Sequence, residues 1–315
     1  MGTNKANKKL STKKFLGIRK RTLQLYSMGL IPILLVILFS YVPMFGIIIA
    51  FKKYNYAKGI LGSNWVGFKN FEFFFKSNDF TRIVTNTLLM NAIFIITGII
   101  AAVGLAILLY KLNSRNATKV YQTILITPNF LSWVVVAYMV YALLNPNYGF
   151  LNQILSFFGK ESVDWYGEAA YWPLFLTICS IWKNVGMDSI MYYAALMGID
   201  SSLFEAAKID GATGWKVTRY ITLPCLIPII SVLTILKIGN IFRADFGLFY
   251  QIPRNIGKLY ATTDVVDTYI FRTMRVVGDM GTSAAVGLVQ SIVGFVLVLI
   301  TNKVSKMIDS DTGLF

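Results

Sequence analysis

Polar side chains inside one long apolar stretch are the residues of this sequence best placed for chemistry within a membrane. Lys183, Asn184 and Asp188 stand near the middle of residues 171–197. A charge at that depth costs roughly 2.5–3.5 kcal/mol on insertion scales, so it requires a partner or water. On a helix, Lys183 and Asp188 lie about 140° apart and do not neutralise each other. Asn184, Asp188 and Tyr192 share one face, which predicts that groups on other helices, or water, complete the site.

Lys237, in a second apolar stretch, is the candidate partner for Asp188. Two interpretations of these charges are open: ion pairing that holds a helix bundle together, or a hydrophilic path for a solute. The sequence has no histidine and its carboxylates are scattered, so no catalytic residue and no metal site is predicted. Cys179 and Cys225 are expected on opposite sides of a membrane, without a disulfide.

The elements that must position these residues are membrane spans, so the predicted fold class is all-α. Of 315 residues, 56% are hydrophobic and 14% are charged, and the mean hydropathy is +0.60, which excludes an ordinary soluble domain. Apolar stretches of about 20 residues are long enough to cross a bilayer. Six spans are predicted, at residues 26–51, 83–110, 120–144, 171–197, 225–242 and 283–301.

The distribution of basic residues predicts the orientation of the chain. The net charge is +15, and the first 22 residues contain eight lysines or arginines and no acid. This bias places the N-terminus in the cytoplasm, where basic residues near a membrane span commonly lie, so the positive charge does not indicate nucleic-acid binding. An even number of spans returns the C-terminus to the same side. The predicted divisions are a basic segment 1–25, a first span with its outer loop 26–80, a five-span core 81–304, and a cytoplasmic tail 305–315.

The core contains a charged interruption, residues 199–224, which we call the polar segment. It includes EAAKIDGATGWKVTRYITLP at 205–224. Ser202 and Glu205 have the spacing of a capping box, so a helix is expected from about Leu203. Gly211 and Gly214 predict a turn before a second helix.

The second helix of the polar segment is predicted to end at Leu223, because the residue before a proline disfavours helix. Ala206 and Ala207 are expected to leave a flat surface that a partner backbone could approach. The residues alone leave two interpretations open: a rigid docking element, or a simple cap and turn between spans.

The spacing within the polar segment resembles the EAA loop of bacterial ABC importer permeases, in which Glu-Ala-Ala, a glycine and Ile-x-Leu-Pro recur at fixed intervals. The matching residues are Glu205, Ala206, Ala207, Gly211, Ile221, Leu223 and Pro224. The resemblance implies a six-helix type I importer permease with the MetI-like fold. It also implies that these residues, with Asp210, couple the chain to a separate ATPase.

Several longer stretches, among them NTLLMNAIF, TPNFLSWVVVAYM and IWKNVGMDSIMYYAALMGID, resemble the LplB-type branch of carbohydrate permeases. That likeness implies uptake of oligosaccharides or polysaccharide fragments at a bacterial cell membrane. The implied partners are a second homologous permease, a pair of ATP-binding subunits and an extracellular sugar-binding lipoprotein. ATP and Mg are expected on the ATPase, and no cofactor on this chain.

Sugars are generally held by aromatic faces and by amide or hydroxyl groups, which selects candidate residues for a substrate pathway in the third to fifth spans. With the two charges of the fourth span included, they are Trp133, Tyr138, Tyr141, Trp182, Lys183, Asn184, Asp188, Tyr192 and Asn240. Packing is the alternative role for each of them. Arg243 and Asp245, near the outer end of the fifth span, are expected to bear on substrate preference.

Two other classes of protein compete with this interpretation. In an ion-coupled secondary transporter, Lys183 and Asp188 would form a charge relay and the polar segment would be only a connector. A membrane enzyme acting on lipid-linked sugars would need clustered acids or metal ligands, which the sequence lacks. The chain has no G-x-x-x-x-G-K-[ST] stretch of its own, since its two Gly-Lys pairs are followed by Glu161 and Leu259.

Overall fold

The computed structural model describes residue 22, residues 24–112 and residues 114–308. The predictions for the basic segment at 1–21 and for the end of the tail at 309–315 lie outside the described residues. The helices in the first half of the chain are α1 (Gln24–Phe51), α2 (Gly59–Gly62), α3 (Lys69–Phe75), α4 (Asp79–Tyr110), α5 (Arg115–Ile126), α6 (Trp133–Leu144) and α7 (Phe150–Phe157). A short antiparallel hairpin of β1 (Lys52–Lys53) and β2 (Asn64–Trp65) encloses α2.

The second half of the chain is also helical. Its elements are α8 (Trp172–Met197), α9 (Ser201–Ile209), α10 (Trp215–Gly239), α11 (Phe246–Gln251), α12 (Tyr260–Thr263), α13 (Val266–Arg272) and α14 (Met280–Ile308). Apart from the two-residue strands, the described chain is built of helices and their connections, so the all-α prediction is confirmed.

Helix α8 lies at the centre of the bundle and packs along α4, with α5 and α10 on its other sides. Two apolar clusters follow it: one surrounds Trp172 and Leu176 near its beginning, and the other surrounds Tyr192 and Leu196 near its end. At Gly186 the backbone of α8 approaches α5 so closely that a Cβ atom would lie 1.8 Å from the carbonyl oxygen of Leu125. Only glycine allows this approach.

Among the described residues, four helices are long and apolar enough to cross a membrane: α1, α4, α10 and α14. Helix α8, the predicted fourth span, has 26 residues and therefore sufficient length, but its charged and amide side chains reduce its apolar character. It lies among the other helices, where those polar groups find partners.

The span predicted at 120–144 is broken by a sharp bend, and the two bent parts count as a fifth apolar span only if they are taken together. The helix containing α5 continues to Phe130, and α6 then leaves at 95° to it. The backbone becomes extended at Leu131 and Ser132, and the Ser132 hydroxyl accepts a hydrogen bond from the Val135 backbone N–H to start α6. An apolar run shows no break in hydropathy, so the bend was hidden within it.

The predicted helix end at Leu223 is wrong, because α10 runs without interruption from Trp215 to Gly239. A wide π-helical turn at Thr218–Thr222 precedes Pro224. Proline lacks an N–H and its ring crowds the carbonyl four residues earlier in an α-helix. The π-helical turn changes the hydrogen-bonding pattern just before the proline, and the helix continues.

Candidate functional site

The first helix of the polar segment, α9, begins at a carboxylate that precedes the predicted cap. Asp200 is the N-cap, and its Oδ1 accepts a hydrogen bond of 3.0 Å from the backbone N–H of Ser202. That hydrogen bond lowers the pKa of Asp200 from its ordinary value. The capping box predicted at Ser202 and Glu205 is therefore wrong, and the Glu205 side chain is exposed to solvent instead.

The turn after α9 confirms the prediction made from its glycines. Gly211 has φ +73° and Gly214 has φ +51°, conformations that residues with a Cβ rarely adopt. The N–H of Ala212 donates to the carbonyl of Ala207 at 2.9 Å, and the N–H of Gly211 donates to that of Lys208 at 3.1 Å. This pair of bonds is the Schellman motif, which ends a helix in a defined conformation.

The side chains of the polar segment divide into an anchoring face and an exposed face. Ala207 is buried, and the Phe204 ring lies 5.8 Å from the ring of Tyr110 at the end of α4. On the exposed face, Ile209 is 87% accessible and Trp215 is 69% accessible. These are large apolar side chains exposed beside a turn, as on surfaces that contact a protein partner or lipid.

The predicted coupling residues fall on both faces. Glu205, Ala206, Asp210, Gly211 and Pro224 are exposed, whereas Ala207 is buried and Ile221 and Leu223 are half-buried. The prediction that Ala206 and Ala207 form one flat surface is therefore wrong, because Ala206 is exposed and Ala207 is buried. Successive residues on a helix are 100° apart, so the two cannot serve one surface equally.

A cavity of about 470 Å³, lined by both polar and apolar side chains, opens between α4, α8 and α10. Its wall includes three of the predicted pathway residues, Asn184, Asp188 and Asn240. The predicted ion pair is present, since Lys237 Nζ lies 2.5 Å from Asp188 Oδ2 and both residues line the cavity. A charge pair, amide groups and apolar side chains thus share one concave surface, as in sites that bind polar solutes.

Two further polar residues of this cavity, Asn91 and Ser180, were not identified from the sequence as site residues. Asn91 of α4 lines the wall, and its Nδ2 donates to the carbonyl oxygens of Ile241 at 2.8 Å and Arg243 at 3.2 Å. Ser180 of α8 also lines it. An asparagine within an apolar run was the available signal for Asn91, because a buried amide must be hydrogen-bonded.

Lys183 is turned away from the cavity and holds the bend between α5 and α6. It is 7% exposed, and its ammonium donates to the carbonyl oxygens of Asn129 at 2.9 Å and Pro128 at 3.4 Å, and to that of Leu131. It also lies 5.1 Å from the centre of the Trp133 ring. The carbonyls left unpaired at the bend thus solvate the charge without a carboxylate.

The remaining predicted pathway residues do not share one site. The Trp133 indole N–H donates to Asp245 Oδ2 at 2.8 Å, and the Tyr141 ring lies 4.2 Å below the guanidinium of Arg254. Tyr138 lines a second cavity, of about 230 Å³. Tyr192 and Trp182 line neither of these two cavities; Tyr192 is buried, and Trp182 is 40% exposed.

The sequence agrees with a known family over most of the described bundle. Residues 95–310 match the model of the binding-protein-dependent transport system inner membrane component. The chain belongs to this family. It is therefore a membrane permease, a transport component with several apolar helices, as the resemblance implied.

Similar proteins cover nearly the whole permease. It is 36% identical to the polygalacturonan/rhamnogalacturonan transport system permease protein YteP of Bacillus subtilis (strain 168), over 90% of this chain and 87% of that protein. It is 32% identical to Protein LplB of the same organism, over 94% and 92%.

The fold of the permease also matches a solved structure. A bacterial ABC transporter involved in the import of the acidic polysaccharide alginate has a chain with a TM-score of 0.84 and 33% identity, covering 94% of this chain and 99% of that one. The predicted MetI-like permease fold is thus confirmed.

Proposed function

We propose that the permease is one transmembrane subunit of an ATP-driven importer of oligosaccharides or polysaccharide fragments, and that it forms half of the translocation pathway. The observation that carries the proposal is the course of α10. This helix begins in the polar segment, beside the exposed turn, and its last turns carry the cavity residues Leu233 and Lys237. The names of the similar transporters supply the sugar class.

The polar segment is the element that couples the permease to a separate ATPase. Its exposed face presents Glu205, Asp210 and the apolar Ile209 to a partner, while Phe204 fixes α9 against α4. A turn in one defined conformation transmits displacement better than a mobile loop, because the element moves as a unit. Movement of the ATPase surface is thereby passed to α10 and to the cavity wall.

The complete transporter contains this chain, a second homologous permease, a pair of ATP-binding subunits with ATP and Mg, and an extracellular sugar-binding lipoprotein. Both termini of the permease and the polar segment lie in the cytoplasm. The loops after α10, which follow its opposite end, face the lipoprotein. Support comes from a similar solved chain that belongs to an alginate transporter in complex with an alginate pentasaccharide-bound periplasmic protein.

The cavity between α4, α8 and α10 is the part of the pathway that this subunit contributes. Asn184 and Asn240 offer amide groups to sugar hydroxyls, and the Asp188–Lys237 pair adds a polar surface with no net charge. Lys183 is assigned to structure, since the bend carbonyls occupy its ammonium.

Ion-coupled transport through Lys183 and Asp188 is disfavoured by their separate partners. Lys183 binds backbone carbonyls at the bend, whereas Asp188 pairs with Lys237 across the cavity. A charge relay requires groups that exchange a proton directly or through a chain of polar groups.

Reconstituted vesicles containing the whole transporter test the coupling role. Glu205→Lys and Gly211→Asp should leave the complex in the membrane but reduce the sugar imported per ATP hydrolysed. Glu205→Lys reverses a charge on the exposed face of the polar segment, and Gly211→Asp places a side chain at φ +73°. Lys160→Glu, an exposed charge reversal in the loop between α7 and α8, is the matched control. Normal coupled uptake by both variants would overturn the assignment, and uptake without ATP would favour ion coupling.

A further inference from the structure

The segment that follows α10 contains two carboxylates and two arginines that form no salt bridge among the described residues. Asp245 accepts hydrogen bonds from the Trp133 indole N–H and from the Leu248 backbone N–H. Asp267 accepts from the Ala244 backbone N–H and from Gln290. Both carboxylates are thus occupied by neutral donors, and neither forms a salt bridge within 4.0 Å among the described residues.

Two arginines in the same segment have no such engagement. Arg243 lines the cavity between α4, α8 and α10, and Arg254 lines the second cavity; both are exposed. Within the described residues neither guanidinium lies within 4.0 Å of a carboxylate. The Asp188–Lys237 pair cancels its own charge, so the lining side chains leave one positive charge in each cavity, that of Arg243 in the first and of Arg254 in the second. Asp267, which does not line either cavity, lies near Arg243 and partly offsets its charge, whereas Arg254 is the only charged residue that lines the second cavity.

The second cavity has the composition of a saccharide site. It measures about 230 Å³ and is lined by Val134, Ala137, Tyr138, Tyr250, Gln251, Arg254 and Asn255. Cavities for drug-sized ligands are larger, roughly 300–1,000 Å³, so the space suits a single sugar ring. The two tyrosines provide aromatic faces, and Gln251 and Asn255 provide amide groups.

Arg254 is held with its hydrogen-bond donors available. The guanidinium carbon lies 4.2 Å from the centre of the Tyr141 ring, and none of the side-chain N–H groups of Arg254 donates to another described residue. A guanidinium above an aromatic ring can still donate hydrogen bonds within its own plane. The backbone is in the left-handed region at Arg254, with φ 57°, and at Asn255, with φ 52°. Asn255 Oδ1 accepts a hydrogen bond of 2.9 Å from the Tyr260 hydroxyl, which secures this conformation. Backbone strain of this kind is often retained at ligand sites.

We propose that the imported saccharide carries carboxylate groups, and that Arg254 in the second cavity and Arg243 in the cavity between α4, α8 and α10 bind them. The inference rests on the proposed function and names its substrate class. The planar fork of an arginine matches a carboxylate with two parallel hydrogen bonds. Tyr138, which is 67% exposed, offers a face to the sugar ring beside the charged group.

A matched pair of ligands isolates the charge. Trigalacturonate and its methyl ester have the same rings and linkages, but only the first carries carboxylates. Binding is measured by calorimetry on the complete transporter in lipid nanodiscs without the lipoprotein, whose own selectivity would otherwise dominate. The wild-type complex should bind the acid about ten- to hundredfold more tightly than the ester, the range expected for hydrogen bonds between charged groups. Equal affinity for the two ligands would overturn the proposal.

Variants then assign the charge preference to residues. Arg254→Gln and Arg243→Gln should each weaken binding of the acid and leave that of the ester unchanged, and the double variant should bind both alike. Arg254→Lys, which keeps the charge but loses the fork, should lie between wild type and Arg254→Gln. Lys258→Gln, an exposed cation in the same segment that lines neither cavity, is the control and should keep the preference. Parallel loss of acid and ester binding in the arginine variants would refute the assignment.

Uptake into vesicles, with the lipoprotein present, separates this proposal from the proposed function. ATP-dependent uptake of an uncharged oligosaccharide such as arabinotriose, without uptake of trigalacturonate, would overturn the carboxylate proposal alone. Absence of ATP-dependent uptake of every oligosaccharide tried would overturn the proposed function.

Discussion

Removing one member of the Asp188–Lys237 pair should destabilise the permease more than removing both. The pair joins α8 to α10 at 2.5 Å, and its side chains retain 26% and 34% of their exposure, respectively. Asp188→Asn leaves the Lys237 ammonium without its counter-ion, and Lys237→Met leaves the Asp188 carboxylate alone. Asp188→Asn with Lys237→Met leaves an uncharged amide beside an apolar side chain.

The expected magnitude follows from the partial exposure of the pair. Breaking a fully buried pair costs about 3–5 kcal/mol, whereas an exposed pair contributes about 0–1 kcal/mol. Water reaches the cavity side of these groups, so we expect about 1–3 kcal/mol for either single variant. The double variant should recover most of that loss, since no unpaired charge remains.

Thermal unfolding of the purified complex in nanodiscs measures the four members of this double-mutant cycle. The two single variants should melt below wild type, and the double variant should melt above both of them. Asn184→Ala, on the same cavity wall, serves as a control that changes no charge. A double variant as unstable as the sum of the singles would mean that the two charges act independently, and would refute the reasoning.

Three further predictions concern the packing of α8 and the start of α9. Gly186→Ala places a Cβ atom 1.8 Å from the Leu125 carbonyl oxygen and should lower the free energy of unfolding by about 1–3 kcal/mol or more, measured as a lower melting temperature. The control is Gly104→Ala, whose Cβ atom meets nothing within 4 Å and which should melt like wild type. Lys183→Met leaves the carbonyls at the bend without their donor and should lower the melting temperature. Lys183→Arg, which keeps a charged donor, should lower it less. Equal melting temperatures of Lys183→Met and wild type would contradict a role of Lys183 in holding the bend. The pKa of Asp200 is lowered from its ordinary value of 3.8, so its cap stabilises α9 fully above about pH 3.8, and this stabilisation is lost as the pH falls through the lowered pKa. Limited proteolysis of the polar segment should therefore depend on pH in the wild type, and Asp200→Asn should remove that dependence. An unchanged pH profile in Asp200→Asn would contradict the prediction.

Local signals in the polar segment were sufficient to predict its turn. Gly211 and Gly214 adopt positive φ, a requirement that one residue type expresses without tertiary context. The start of α9 was less determinate because Asp200, Ser201 and Ser202 are all good N-caps in succession. The structure selects the first of them, and the sequence offers no means of ranking three adjacent candidates.

The bend at residues 128–133 and the sorting of the pathway residues needed tertiary information. Pro128 and Ser132 were signals for a break, but continuous hydropathy concealed them. The Asp188–Lys237 pair was predictable because an intramembrane carboxylate needs a partner and the sequence offers few cations. Which aromatic residues face a cavity depends on the rotation of each helix about its axis, and hydropathy does not specify that rotation for a helix surrounded by others.

The close contact of α8 with α5 indicates that the α8 wall of the cavity is more rigid than the α10 wall. At Gly186 the backbones of the two helices touch with no side chain between them, and three residues earlier the Lys183 ammonium ties α8 to the bend. Sliding between them would break both contacts, so α8, α5 and the bend move together. Helix α10 instead is joined to α8 by the Asp188–Lys237 side-chain pair and begins in the polar segment. Opening and closing of the cavity is therefore expected as displacement of α10 relative to α8, with the Asp188–Lys237 pair as the contact that must stretch.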